Sequence, residues 1–185
     1  MFVHAYVDES YDLTIGVYIL TASIVNLDDA EEIRCALREL RRGGEKLHWS
    51  KEPPHRRSEI TKVLCSLTAR SVAVVGTSKP LFPERGRRKC LEALLPELEL
   101  AGADIVTFET RQKHSNKLDA DMVDACRQKR LITPHLRVTF APGSSEPLLW
   151  IPDVTCGAVL AAERGDESYM NQVRDSAQVI RVNAR

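Results

Sequence analysis

The sequence predicts an α/β layer fold: a mixed β-sheet that opens with an antiparallel hairpin and carries helices on both faces. Three observations predict it. Two apolar, β-branched runs stand close together at the amino terminus. Beyond them, amphipathic helical patterns alternate with short apolar runs. Finally, 185 residues with no internal repeat and no long linker fit one compact domain, expected to span residues 1–185.

The elements follow in order. Residues 2–7 alternate large and small side chains, and residues 14–25 are rich in apolar and β-branched ones, so two strands are expected around a polar connection at 8–13. Asn26, Asp28 and Asp29 offer caps for a helix with Ala30, Ile33, Leu37 and Leu40 on one face, and Gly43-Gly44 is expected to end it. After Pro53-Pro54, residues 56–70 carry Ile60, Val63, Leu64 and Leu67 at helical spacing. Residues 72–77 read as a buried parallel strand. A helix runs from Pro83 to about Leu100, where Gly102 closes it, and Pro96 marks a kink or boundary. Then come a strand at 104–111, a helix at 117–130, a strand at 136–141, a helix at 154–164 led in by Trp150-Ile151-Pro152-Asp153, and a last strand near 179–182.

Composition narrows the function classes. Apolar residues make up 43% and charged residues 28%, which excludes disorder. Lys plus Arg equal Asp plus Glu at 26 each, so no global field draws in a polyanion and any such site must be local. No apolar run approaches the roughly 20 residues that span a bilayer, and no signal-peptide pattern opens the chain, so a cytoplasmic protein without membrane contact is expected. The five cysteines are scattered, odd in number and without a C-x-x-C pair, which argues against a zinc knuckle, a redox motif or a disulfide framework.

Several polar residues stand out. Asp8 and Glu9 end the first strand, and alternation puts Asp8 with His4 and Tyr6 but Glu9 with Ala5 and Val7; a plain hydrophilic turn is the alternative reading. Glu109 sits at the tail of a buried strand, where an acid needs a partner or a metal; Arg111, two residues on, shares its face and is the plain partner. Carboxylates at the carboxyl ends of neighbouring strands lie where open α/β sheets place ligands. Asp153 opens an apolar helix, where an acid complements the dipole, and its run with Gly157 and Ala161 makes a smooth face for close approach to the sheet. His48 belongs to a loop or helix start, and is either a surface residue or a proton-transfer group. Around it, residues 34–57 hold eight basic residues against three acids, a solvated face or a phosphate-binding one.

Converging carboxylates form a hard, oxygen-rich site suited to Mg²⁺ or Mn²⁺, the setting of two-metal phosphoryl transfer. No phosphate-binding G-x-x-x-x-G-K-[ST] loop, G-x-G-x-x-G, H-E-x-x-H or G-x-S-x-G motif competes.

Tyr6-Val7-Asp8-Glu9-Ser10, Lys46-Leu47-His48, and Trp150-Ile151-Pro152-Asp153 with Gly157-Ala158-Val159 together resemble the bacterial and phage family called domain of unknown function 3800, over nearly the whole chain. The resemblance implies a ribonuclease H-like fold with acids placed like those of metal-dependent nucleases. It implies Asp8 as the first-strand aspartate, Glu109 as the middle-strand acid, Asp153 as the late-helix aspartate and His48 as the mid-chain histidine, with Asp119 or Asp121 as a further acid. Two positions depart from the pattern. Tyr11 stands where a glycine commonly follows, and Lys46 stands where an acid is common, with Glu45 displaced by one.

The expected function is therefore a Mg²⁺- or Mn²⁺-dependent nuclease. Asp8, Glu109 and Asp153 would hold metal, Glu9 and Asp119 would orient those ligands, and His48 would move a proton. Lys46, Arg56, Arg57 and Arg111 would contact the nucleic acid backbone. The alternative is a catalytically silent module of the same fold that binds a protein or nucleic acid partner; a phosphoesterase acting on a small nucleotide is a third reading.

Overall fold

The computed structural model describes residues 2–185. In chain order it contains β1 (Val3–Asp12), β2 (Val17–Asn26), α1 (Ala30–Leu40), α2 (Pro54–Ser66), β3 (Arg70–Thr77), α3 (Pro83–Leu100), β4 (Ala103–Glu109), α4 (Lys113–Gln128), β5 (Arg137–Ala141), α5 (Trp150–Glu163), α6 (Met170–Val173) and β6 (Ala177–Asn183). Single 3₁₀ turns at Trp49–Lys51 and Pro147–Leu149 lead into α2 and α5.

The sheet order is β5-β4-β1-β2-β3-β6. β2 is antiparallel to both its neighbours, whereas β1 with β4, β4 with β5 and β3 with β6 are parallel. This is a mixed sheet opening with a hairpin, the ribonuclease H-like α/β class. Helices cover both faces. On one, α3 and α4 bury Leu91, Leu94, Leu98 and Val123 against Ala5, Val7, Leu20, Val74, Val106 and Phe108. On the other, α1, α2 and α5 bury Ile33, Leu37, Ile60 and Val154 around Tyr6, while Cys156 and Val159 of α5 meet Ile19 and Val75.

The opening hairpin differs from expectation in one way that matters for the site. The polar connection expected at 8–13 is largely strand, because Asp8 through Asp12 pair with Thr21 through Val17 and the turn falls at 13–16. The ladder to β2 holds the polar residues in extended form, and their local turn preference is overridden. Four further differences are smaller. α1 ends at Leu40, before the glycine pair, whose positive φ values of 90° and 69° shape the loop that follows. The 72–77 run is longer, at 70–77, and lies antiparallel to β2 as well as parallel to β6. α3 runs through Pro96 without a boundary. α4 begins at Lys113, earlier than its apolar pattern shows. The five cysteines are free thiols, with Cys90, Cys126 and Cys156 in the interior. Among the described residues no helix is long and apolar enough to cross a membrane.

Candidate active site: a carboxylate cluster beside a polar cleft

The parallel register of β1 and β4 runs to Val7 opposite Phe108, and Asp8 and Glu109 are the next residues on each strand. They therefore emerge together at the carboxyl ends of adjacent parallel strands, where such sheets place ligands. Alternation decides the face. Ala5, Val7, Val106 and Phe108 point into the α3 side, so Tyr6 and Asp8 face α5. Asp153, in the first turn of α5, completes a cluster of three carboxylates close enough to repel one another.

Each aspartate is fixed through one oxygen. Asp8 Oδ1 accepts the Glu9 amide at 2.8 Å, and Asp153 Oδ2 accepts the Trp49 amide at 2.9 Å. Among the described residues, Asp8 Oδ2 and Asp153 Oδ1 have no hydrogen-bond partner and are not sealed from solvent. Burial pushes Asp153 up to about 6, against the Trp49 hydrogen bond that favours its ion. Burial also raises Asp8 well above the usual carboxylate range, and the charges of Glu109, Asp153 and Glu9 add to the rise.

The Trp49 amide is delivered by packing. A Cβ on Gly157 would meet the Trp49 indole at 2.1 Å, so the missing side chain on α5 is the seat of that ring. Tyr169 holds the indole edge-on at 5.0 Å and Arg57 lies over it at 5.0 Å, donating also to the Trp49 carbonyl. The smooth face of Asp153, Gly157 and Ala161 thus serves the Trp49 loop where close approach to the sheet was expected.

Glu109 is engaged by Lys46, whose ammonium lies against Oε1. Its Oε2 is buried without a hydrogen-bond partner. The pair forms part of the wall of a cleft of about 640 Å³, which Arg42, Glu45, His48, Lys51, Glu52 and Ser144 also line, so its cations and carboxylates balance. Asp8 and Asp153 are not in that lining; Glu109 and Lys46 join the cleft to the aspartates. His48 is held below its ordinary value by partial burial and by the charges of Lys46 and Lys51. It therefore presents a neutral imidazole at neutral pH.

No family model matches the chain. No curated protein matches it either.

Five residues expected at the site have their side chains elsewhere. The Glu9 side chain faces α3, as alternation requires, and pairs with Arg87 at 2.9 Å; its backbone amide orients Asp8, while its carboxylate reaches the cluster only through its charge. Asp119 is on the α3–α4 side, 2% exposed and bidentate to Arg87 at 2.7 and 2.8 Å, so it orients no ligand of the cluster. Arg111 lies past the end of β4, where strand alternation no longer applies, and turns to Glu84 and Asp119 and away from Glu109. Arg56 is buried against Glu59, Glu52 and the Leu40 carbonyl, which closes it to a substrate. Asp121 is exposed on α4. Conversely, Trp49, Gly143 and Gly157 shape the site and were not singled out for those contacts; an indole beside His48 and a glycine four residues after Asp153 were the available signals.

The donor set bears on a divalent ion. Among the described residues no group of three or more His, Cys, Asp and Glu side chains is placed to hold a metal. Mg²⁺, however, is commonly held by one or two carboxylates, with water and substrate phosphate completing its octahedron. Asp8 and Asp153, each with one open oxygen, fit that pattern for one hard cation. Glu109, with Lys46 on one oxygen and the other enclosed, offers no donor for a second.

Proposed function

We propose that the protein is a phosphodiester hydrolase acting on nucleic acid, with one Mg²⁺ or Mn²⁺ held by Asp8 and Asp153. The observation that carries this is the pair of charge-crowded aspartates at the end of β1 and the start of α5, each tethered by one backbone amide and open at the other oxygen. The resemblance to the domain of unknown function 3800 family supports the same reading, since its most specific parts include Asp8 and Asp153.

A bound ion supplies Lewis acidity toward a phosphate oxygen and acidifies water. The chain's own groups do the rest. His48, neutral and bordering the cleft, accepts a proton. Arg42 and Lys51 offer cationic contacts to a phosphate backbone beside the sterically open glycine pair at 43–44, in a cleft whose other lining includes Glu45 and Glu52. Arg57, stacked on Trp49, keeps the Asp153 anchor in place.

Melting temperature in EDTA, Mg²⁺ and Mn²⁺, with labelled DNA and RNA cleavage alongside, tests the proposal. Wild type should melt several degrees higher with either metal, Asp8→Asn and Asp153→Asn should not, and only wild type should cleave. Cleavage by both variants would overturn the carboxylate mechanism. The engagement of Glu109 by Lys46 favours a second reading, a silent module that binds a partner through its polar cleft. That reading takes over if metal leaves the wild-type melting unchanged and no substrate is cut.

A further inference from the structure

Lys46 places its ammonium against the third carboxylate of the cluster, at Glu109 Oε1, and the two side chains are only 15% and 20% exposed. The pairing is built into the loops around it. A Cβ on Gly143 would come within 2.7 Å of Glu109 Oε1 and 2.9 Å of Lys46 Cδ, so a side chain there would have to displace the ends of both. Gly143 is pinned in turn, because its carbonyl accepts the indole N–H of buried Trp150 at 2.7 Å.

Resting on the metal reading above, we infer that Lys46 is a tethered monovalent cation standing in for a second divalent ion and limiting the site to one. Charge arithmetic supports this. Asp8, Glu109 and Asp153 carry three negative charges when ionised, which one ammonium and one divalent ion balance to zero. A second divalent ion beside Lys46 would leave two positive charges in excess. Lys46→Glu reverses the balance, because four carboxylates are neutralised by two divalent ions. Lys46 thus positions Glu109 and sets the number of ions, and it does not need to touch the reacting phosphate.

Mn²⁺ titration of the protein, followed by electron paramagnetic resonance, reads this directly. Wild type and Lys46→Arg should each bind one Mn²⁺ with an isolated-ion spectrum. Lys46→Glu should bind two with the spin coupling of ions about 3.5–4 Å apart. Lys46→Met, which adds no like charge and so guards against misfolding of the glutamate variant, lowers the excess of a doubly loaded site from two positive charges to one and should take up a second ion more weakly than Lys46→Glu. One ion in both Lys46→Glu and Lys46→Met would overturn the inference, and so would two ions in wild type, although the hydrolase reading would survive either result. No Mn²⁺ bound to wild type would instead remove the metal reading, and this inference with it.

Discussion

A guanidinium with 1% of its side-chain surface exposed needs every one of its partners, and Arg87 has Asp119 on two nitrogens, Glu9 at 2.9 Å and the Tyr18 hydroxyl at 3.2 Å. Removing a partner leaves a buried charge uncompensated, at about 3–5 kcal/mol. Asp119→Ala should therefore lower unfolding free energy in urea by that order, whereas His48→Ala, at the rim of the cleft, should change it by no more than about 0.5 kcal/mol. A stability loss in Asp119→Ala under about 1 kcal/mol would return Asp119 to the list of site residues. The separation of Asp8 from Glu9 was legible in the sequence because strand alternation is a local rule. The partnership of Arg87 with Asp119 was not, since it joins two helices and depends on which sheet face both of them cover. Arg111 was misread for a related reason: alternation stops where β4 stops.

At the level of elements, α5 and the Trp49 turn act as one unit. The helix was legible from its apolar run and its Pro-Asp start, and the strands β3, β4 and β5 from short apolar runs. The true extent of β1 was hidden because hydrogen bonds to β2, and not the composition of residues 8–12, keep that segment extended. The unit makes its own prediction. Gly157→Ala places a methyl in the volume of the Trp49 indole, 2.1 Å from Cδ1, so the ring must leave its seat and the Trp49 amide must leave Asp153. Overpacking of this kind costs about 1–3 kcal/mol. Gly157→Ala should lose that much stability, shift the tryptophan fluorescence to the red and weaken the Mn²⁺-dependent rise in melting temperature. Ala161→Ser, one turn further along the same helix, is the control and should leave the fluorescence in place. An unshifted spectrum in Gly157→Ala would show that the indole does not depend on that seat.

Over the whole molecule, the crowded carboxylates tie stability to both pH and metal. A carboxyl raised in the folded state binds its proton more tightly there than in the unfolded chain, so stability is greatest below the unfolded value and falls as pH rises through the folded one. For Asp153 that window runs from about 4 to about 6, with a loss of up to roughly 3 kcal/mol before solvent screening reduces it. Asp8 is raised for the same first cause, burial, and extends the decline upward. His4 and His48 act in the opposite sense. Both are lowered, chiefly by burial, so the folded state holds fewer protons than the unfolded chain and they favour folding as pH rises through the imidazole range. The carboxylate contribution is isolated by comparing wild type with Asp153→Asn, in which the histidines are unchanged. In EDTA at pH 7.5 the asparagine variant should be the more stable of the two, and the advantage should vanish below about pH 3, where wild-type Asp153 is protonated in both states. Saturating Mn²⁺ should invert the order at pH 7.5, because an ion that binds only the folded wild type contributes about 4.1 kcal/mol at a thousand times its Kd. Urea unfolding at the two pH values, with and without Mn²⁺, gives all four comparisons. If Asp153→Asn is the less stable protein in EDTA at pH 7.5, the cluster is not charge-crowded, and the physical ground for a cation at Asp8 and Asp153 is gone.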